Sequence, residues 1–108
     1  MLDALFGNAT AAKVLLFIAL NREAYAQELA DRLGVALSRA QEQLKRLERG
    51  GVLAGTPRGR MRFYTFHPRF ALARELESML RKAFELLPER ERERYVARRR
   101  PRAPGKPL

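Results

Sequence analysis

Hydrophobic and polar positions along the chain change period several times, and each change marks an element. Leu2, Leu5 and Phe6 form a short apolar cluster that Gly7-Asn8 interrupts. In Ala11–Leu20, Val14, Leu15, Phe17, Ile18 and Leu20 leave no polar face, which predicts a helix at the centre of the core, capped by Asn8 or Thr10. Asn21-Arg22-Glu23 is the loop out of it, and Ala24-Tyr25 is either a short strand or a lead-in to the next helix.

Tyr25–Gly50 then carries two amphipathic segments. The first places Leu29, Ala30 and Leu33 on one face, and the small Ala30 lets another helix cross closely. Gly34 follows, where a left-handed turn is cheap only for glycine, and Val35 points back inward. The second segment, 37–50, repeats Ala40, Leu44 and Leu47 at helical spacing and stops at Gly50-Gly51. A helix, a glycine turn and a basic helix form a helix-turn-helix pattern, whose second helix is the one offered to a nucleic-acid groove.

Beyond Gly51 the period shortens. Val52-Leu53-Ala54 begins an extended run, 56–60 is a turn by composition, and Met61–Phe66 alternates with aromatic and β-branched residues. Two short strands around an arginine-rich turn make a wing. His67-Pro68 ends it. A long helix is then expected over 69–87, with Leu72, Leu76, Met79, Leu80, Ala83, Phe84 and Leu87 as its apolar stripe. So much apolar surface outside the helix-turn-helix calls for a partner, and the same helix of a second copy is the most economical one. Leu72, Leu76, Met79, Leu80, Ala83 and Leu87 are therefore the expected dimerisation residues. The expected fold is mostly α with a small β-hairpin wing, a winged helix-turn-helix over 1–87, followed over 88–108 by a charged segment and a basic tail. Glu89–Arg94 alternates Glu and Arg and reads as solvated, with one more helical segment reaching Tyr95-Val96 as the alternative.

Charge sharpens the functional side. The net charge is +10, from 22 basic and 12 acidic residues in 108. Six of the basic residues and none of the acids lie from Arg94 onward, so residues 1–93 hold 16 against 12, or +4. A polyanion is the natural partner, and a phosphate backbone the commonest one. The absence of cysteine excludes disulfides, thiolate metal sites and cysteine nucleophiles. His67, the single histidine, is a boundary residue beside a proline, and no glycine-rich phosphate loop occurs. No catalytic residue, cofactor or metal is expected. Val14–Leu20 is too short for a membrane span, and the acid in MLDALFGNAT, with no basic region, argues against a secretory signal. A cytoplasmic, nucleoid-associated location is the expectation.

The stretches LFGNATAAKVLLFIAL, AQELADRLGVALSRAQEQLKRLERGGVL and RFYTF resemble the winged helix-turn-helix of ArsR-type transcriptional regulators, and the similarity runs over nearly the whole chain. That resemblance implies a DNA-binding regulator, with repression the expected sense. Two positions depart from it. A serine often caps the recognition helix in that family, whereas here Ala36-Leu37 holds the place and Ser38 is the alternative cap. The metal sensors carry paired cysteines in the first helix of the motif, and AQELADRL has none, so metal sensing of that kind is not carried over.

With Ala40, Leu44 and Leu47 turned inward, the opposite face of helix 37–50 presents Ser38, Arg39, Gln41, Glu42 and Lys45. Gln41 suits adenine and Arg39 guanine, as bidentate partners in the major groove. Ser38 and Lys45 suit bases or phosphates, and Glu42 either accepts from cytosine or pairs with a neighbouring cation. In the wing over 56–62, Arg58 and Arg60 lie near the tip for phosphates or a minor groove, joined by Arg62. Arg98, Arg99, Arg100 and Arg102 are the tail's phosphate contacts. The expected partners are double-stranded DNA and a second copy of the chain. The alternatives are a protein-interaction module, as in an antitoxin-like partner of another protein, and an RNA binder working through the tail.

Overall fold

A computed structural model of the protein describes residues 1–96. The tail arginines Arg98, Arg99, Arg100 and Arg102 lie outside the described residues. In chain order the elements are α1 (Leu2–Phe6), α2 (Ala9–Asn21), α3 (Ala26–Leu33), α4 (Leu37–Arg49), β1 (Leu53–Arg58), β2 (Met61–Phe66), α5 (Ala73–Glu85) and α6 (Glu89–Val96). The described chain is thus mostly helical, with one antiparallel two-stranded hairpin.

α2 is the centre. The Asn8 side chain accepts the Ala11 N–H at 2.6 Å, satisfying one of the amides that a helix start leaves open. From there Ala11, Ala12 and every residue from Val14 to Ala19 are buried. α4 and α5 pack on α2, as do α1 and α6, so this helix is covered nearly all round. Burial of that kind needs no amphipathic pattern, as its sequence shows.

α3 buries Leu29 and Leu33 and closes at Gly34, whose φ of +69° lets its N–H reach back to the Ala30 carbonyl at 3.0 Å. A Cβ would strain that conformation, and glycine avoids the cost. α4 then starts at Leu37 with Ala36 as N-cap and no side-chain cap, so Ser38 does not take that part. Ala40, Leu44 and Leu47 hold it on the core.

The hairpin is in register from Leu53 opposite Phe66 to Arg58 opposite Met61. Only Gly59 and Arg60 remain for the turn, with Gly59 at φ +61°. The tip is therefore tighter than the five-residue turn expected from composition, and Arg58 and Arg62 sit in the ladder rather than at the tip. Tyr64 turns into the core, and its backbone exchanges hydrogen bonds of 3.0 and 2.8 Å with Ala24. That bridge fastens the hairpin to the loop before α3.

After the hairpin the structure departs from expectation in two ways. The helix expected over 69–87 begins at Ala73, because Pro68 and turn bonds at Phe70 and Ala73 occupy the residues before it. On it, Leu80 and Ala83 are buried against α2, and Leu76 and Leu87 are partly buried on the same core. Leu80 and Ala83 thus belong to the interior of a single chain and not to a dimer face. Leu72 at 61 % exposure, Met79 at 38 % and Leu86 at 66 % are the side chains that stay in water.

Over Glu89–Val96 the chain forms the helical segment given above as the alternative: its Glu and Arg side chains are mostly exposed, and the helix docks through Tyr95. α6 contacts α2 and α3, and Tyr95 is buried beside Phe17 and Phe84, with ring centroids 6.4 and 6.2 Å away. Asn21 Nδ2 donates to the Tyr95 carbonyl at 2.7 Å and Arg32 Nη2 to the Arg94 carbonyl at 2.9 Å, satisfying carbonyls at the helix end. The folded body therefore extends through α6.

Candidate nucleic-acid interface

The same burial that holds α4 on the core decides what it shows to solvent. With Ala40, Leu44 and Leu47 inward, Ser38, Arg39, Gln41, Glu42 and Lys45 are all exposed, as their spacing requires. The hairpin folds back beside this helix. Between them runs an open cleft of about 310 Å³ whose walls include Leu37, Gln41 and Lys45 from α4 and Arg60, Met61 and Arg62 from the hairpin. Its floor is Leu44 and Tyr64, and no carboxylate lines it. Gln41, Lys45, Arg60 and Arg62 are thus brought together. Ser38, Arg39 and Glu42 lie on the same helix but outside the cleft walls.

The wing arginines, alike in sequence, occupy three different situations. Arg58 is drawn back to Glu23 in the loop after α2, with both carboxylate oxygens accepting from its guanidinium, and it stacks 4.0 Å from the centre of the Phe63 ring. Phe63 in turn packs on Tyr25, centroid to centroid 5.1 Å. Arg62 donates to Glu48 near the end of α4 at 2.7 Å, and that hydrogen bond is the main cause of its raised pKa. Gly55 makes room for this reach: a Cβ there would stand 2.5 Å from Arg62 Nε. Arg60, at the tip, makes no ion pair among the described residues, and neither do Arg39, Lys45 or Glu42. Arg39, Lys45 and Arg60 are therefore cations without an ion pair among the described residues, facing outward from α4 and the hairpin tip.

Sequence reasoning named the arginines and missed their partners. Glu23 lies 35 residues from Arg58, and Glu48 lies 14 from Arg62. Charge alternation within a helix signals local pairs, but nothing local signals a pair closed by a hairpin. The sequence marked Leu37 as an unusual helix start but named neither Leu37 nor Met61, each 39 % exposed on the cleft, as a site residue. The one available signal was an apolar residue standing where a helix start favours a polar one.

Elsewhere, the His67 ring accepts the Arg69 N–H on Nδ1 at 3.0 Å, a turn-forming bond. Among the described residues no three His, Cys, Asp or Glu side chains gather as a metal site, and no helix is long and apolar enough to cross a membrane. Comparison with protein-family models, with curated proteins and with solved structures gives no match.

Proposed function

We propose that the protein is a sequence-specific double-stranded DNA-binding transcriptional regulator of the winged helix-turn-helix type, acting as a dimeric repressor. α3, the Gly34 turn and α4 form its helix-turn-helix, and β1–β2 its wing. One observation carries the reading. The polar face of α4 and the unpaired arginine at the hairpin tip border the same carboxylate-free cleft, so Gln41, Lys45 and Arg60 can meet one duplex together. A major groove about 12 Å wide admits a helix of this kind, and residues near its N-terminus reach base edges first. In this reading Gln41 and Arg39 choose the sequence, and Arg60 and Lys45 supply phosphate affinity.

Leu72, Met79 and Leu86, spaced seven residues apart and exposed, support pairing with a second copy along α5. A two-fold pair would present its two copies of α4 about 34 Å apart, matching an inverted repeat. Selection of bound duplexes from a random pool at near-physiological salt tests both parts. Enrichment of an inverted repeat is the expected result. A pool that stays random after repeated rounds refutes sequence-specific binding, and enrichment of a single asymmetric site refutes the dimer.

A further inference from the structure

The start of α4 has a feature that the proposed contacts do not use. Ala36 caps the helix without a side-chain hydrogen bond, and Leu37 follows as its first residue, exposed although the core stripe of this helix is Ala40, Leu44 and Leu47. Ser, Thr, Asp or Asn in the cap position would stabilise the start, and a polar residue at 37 would leave less apolar surface in water. Leu37 is also aligned with function. Leu37, Gln41 and Lys45 are four residues apart, on one face of α4, and all three line the cleft opposite Arg60. An apolar tip, an amide and a cation thus follow one another along the face that the DNA reading turns toward the groove.

Each of those chemistries has a counterpart on a base-pair edge. An amide pairs with adenine through N6 and N7, and an apolar side chain meets the C5 methyl of thymine, the one methyl group in the major groove of unmodified DNA. Four residues of helix, the step from Leu37 to Gln41, advance about 6 Å, or about two base-pair steps. We infer that Leu37 is a specificity residue that reads a thymine methyl, within about two base pairs of the adenine held by Gln41. This rests on the DNA reading above and adds to it the kind of sequence bound: a half-site whose centre contains A·T pairs. Because no carboxylate lines the cleft, a duplex can bring its phosphates to Lys45 and Arg60 while the leucine reaches the base edge.

Deoxyuridine in place of thymine removes only the methyl and keeps the base pair. The test uses the full chain and a duplex enriched from the random pool, with its thymines replaced one at a time. The wild-type protein should lose about fourfold in affinity at one thymine per half-site, the effect of one buried methyl. Leu37→Ala should bind the thymine and uracil duplexes alike, and Leu37→Met, which keeps an apolar tip, should restore the difference. Gln41→Ala should keep the methyl preference while losing choice at the neighbouring pair. Thermal unfolding should be nearly the same for all three variants and the wild type, since Leu37 and Gln41 are exposed. Selective binding with no methyl-sensitive thymine overturns the inference alone. So does full sensitivity in Leu37→Ala, which would leave Leu37 to a protein partner seated in the cleft. If the wild-type chain prefers no duplex over random DNA, the DNA reading falls, and this inference falls with it.

Discussion

If the pairing of the wing arginines is a property of the free protein, the salt dependence of DNA binding should distinguish them. Each phosphate neutralised by a protein cation contributes about −0.9 to the slope of log affinity against log salt. Arg39, Lys45 and Arg60 take no ion pair among the described residues, so together they should contribute about −2.7 per chain. Removing Arg60 should flatten the slope by about 0.9. Between about 50 and about 200 mM salt, a fourfold change, the gap between wild type and Arg60→Ala should therefore close by about 3.5-fold. Arg58 carries the same charge but faces Glu23. Deleting the pair together, as Arg58→Ala with Glu23→Ala, keeps the net charge and should leave the slope unchanged. Fluorescence anisotropy on a labelled random duplex at four or five salt concentrations measures both. A fall of about 0.9 in the double variant would show that Arg58 leaves Glu23 for phosphate, and would refute the division of the wing into paired and unpaired cations.

Three further predictions concern the scaffold that holds this surface. Burial, and next the nearby Glu91 charge, push the Tyr95 phenol from its usual 10.0 up to about 12, so the folded state favours the neutral form. That contribution is fully present below about pH 10 and is lost as pH climbs toward 12, by on the order of 2 kcal/mol. Urea midpoints of wild type and Tyr95→Phe should thus agree at pH 7 and diverge above pH 10 in favour of phenylalanine; parallel curves would contradict the assignment. Asn8→Ala removes the cap of α2 and should cost about 1 kcal/mol in urea unfolding, with no loss expected only if another group caps Ala11. Gly34→Ala forces a side chain into a left-handed turn at φ +69° and should cost about 1–2 kcal/mol by the same assay, although a Cβ there meets nothing within 4 Å.

The helical half of this fold was legible because its signals are local. Asn8, Gly34 and the Ala40–Leu44–Leu47 stripe each act within a turn or two of the chain, and each stands where its pattern placed it. The exposed face of α4 followed from the same stripe. What escaped were choices that depend on distant neighbours. The apolar positions of α5 gave a broad stripe, but only the path of α2 decides that Leu80 and Ala83 go inward while Leu72 and Met79 do not. Glu89–Arg94 looks solvated by composition. Tyr95 is the one side chain of that helix that is buried, against rings contributed by α2 and α5, while Asn21 and Arg32 hold its last carbonyls. Within the candidate site, the residue types were readable and the cleft was not, because its far wall is set by the two-residue hairpin turn and the Ala24–Tyr64 bridge.

Gly55 has a consequence for how this surface can vary. Its φ is ordinary, so the backbone there accepts any L-residue, and what a Cβ would meet is the flexible head of Arg62. A change from glycine to alanine therefore leaves the hairpin's hydrogen bonding intact and obliges the Arg62 guanidinium to shift from its present seat beside Glu48. One small, uncharged substitution on β1 would then re-aim a cation that lines the cleft. The strength and salt response of the whole face can thus be altered by a residue that bears no charge and borders no ligand.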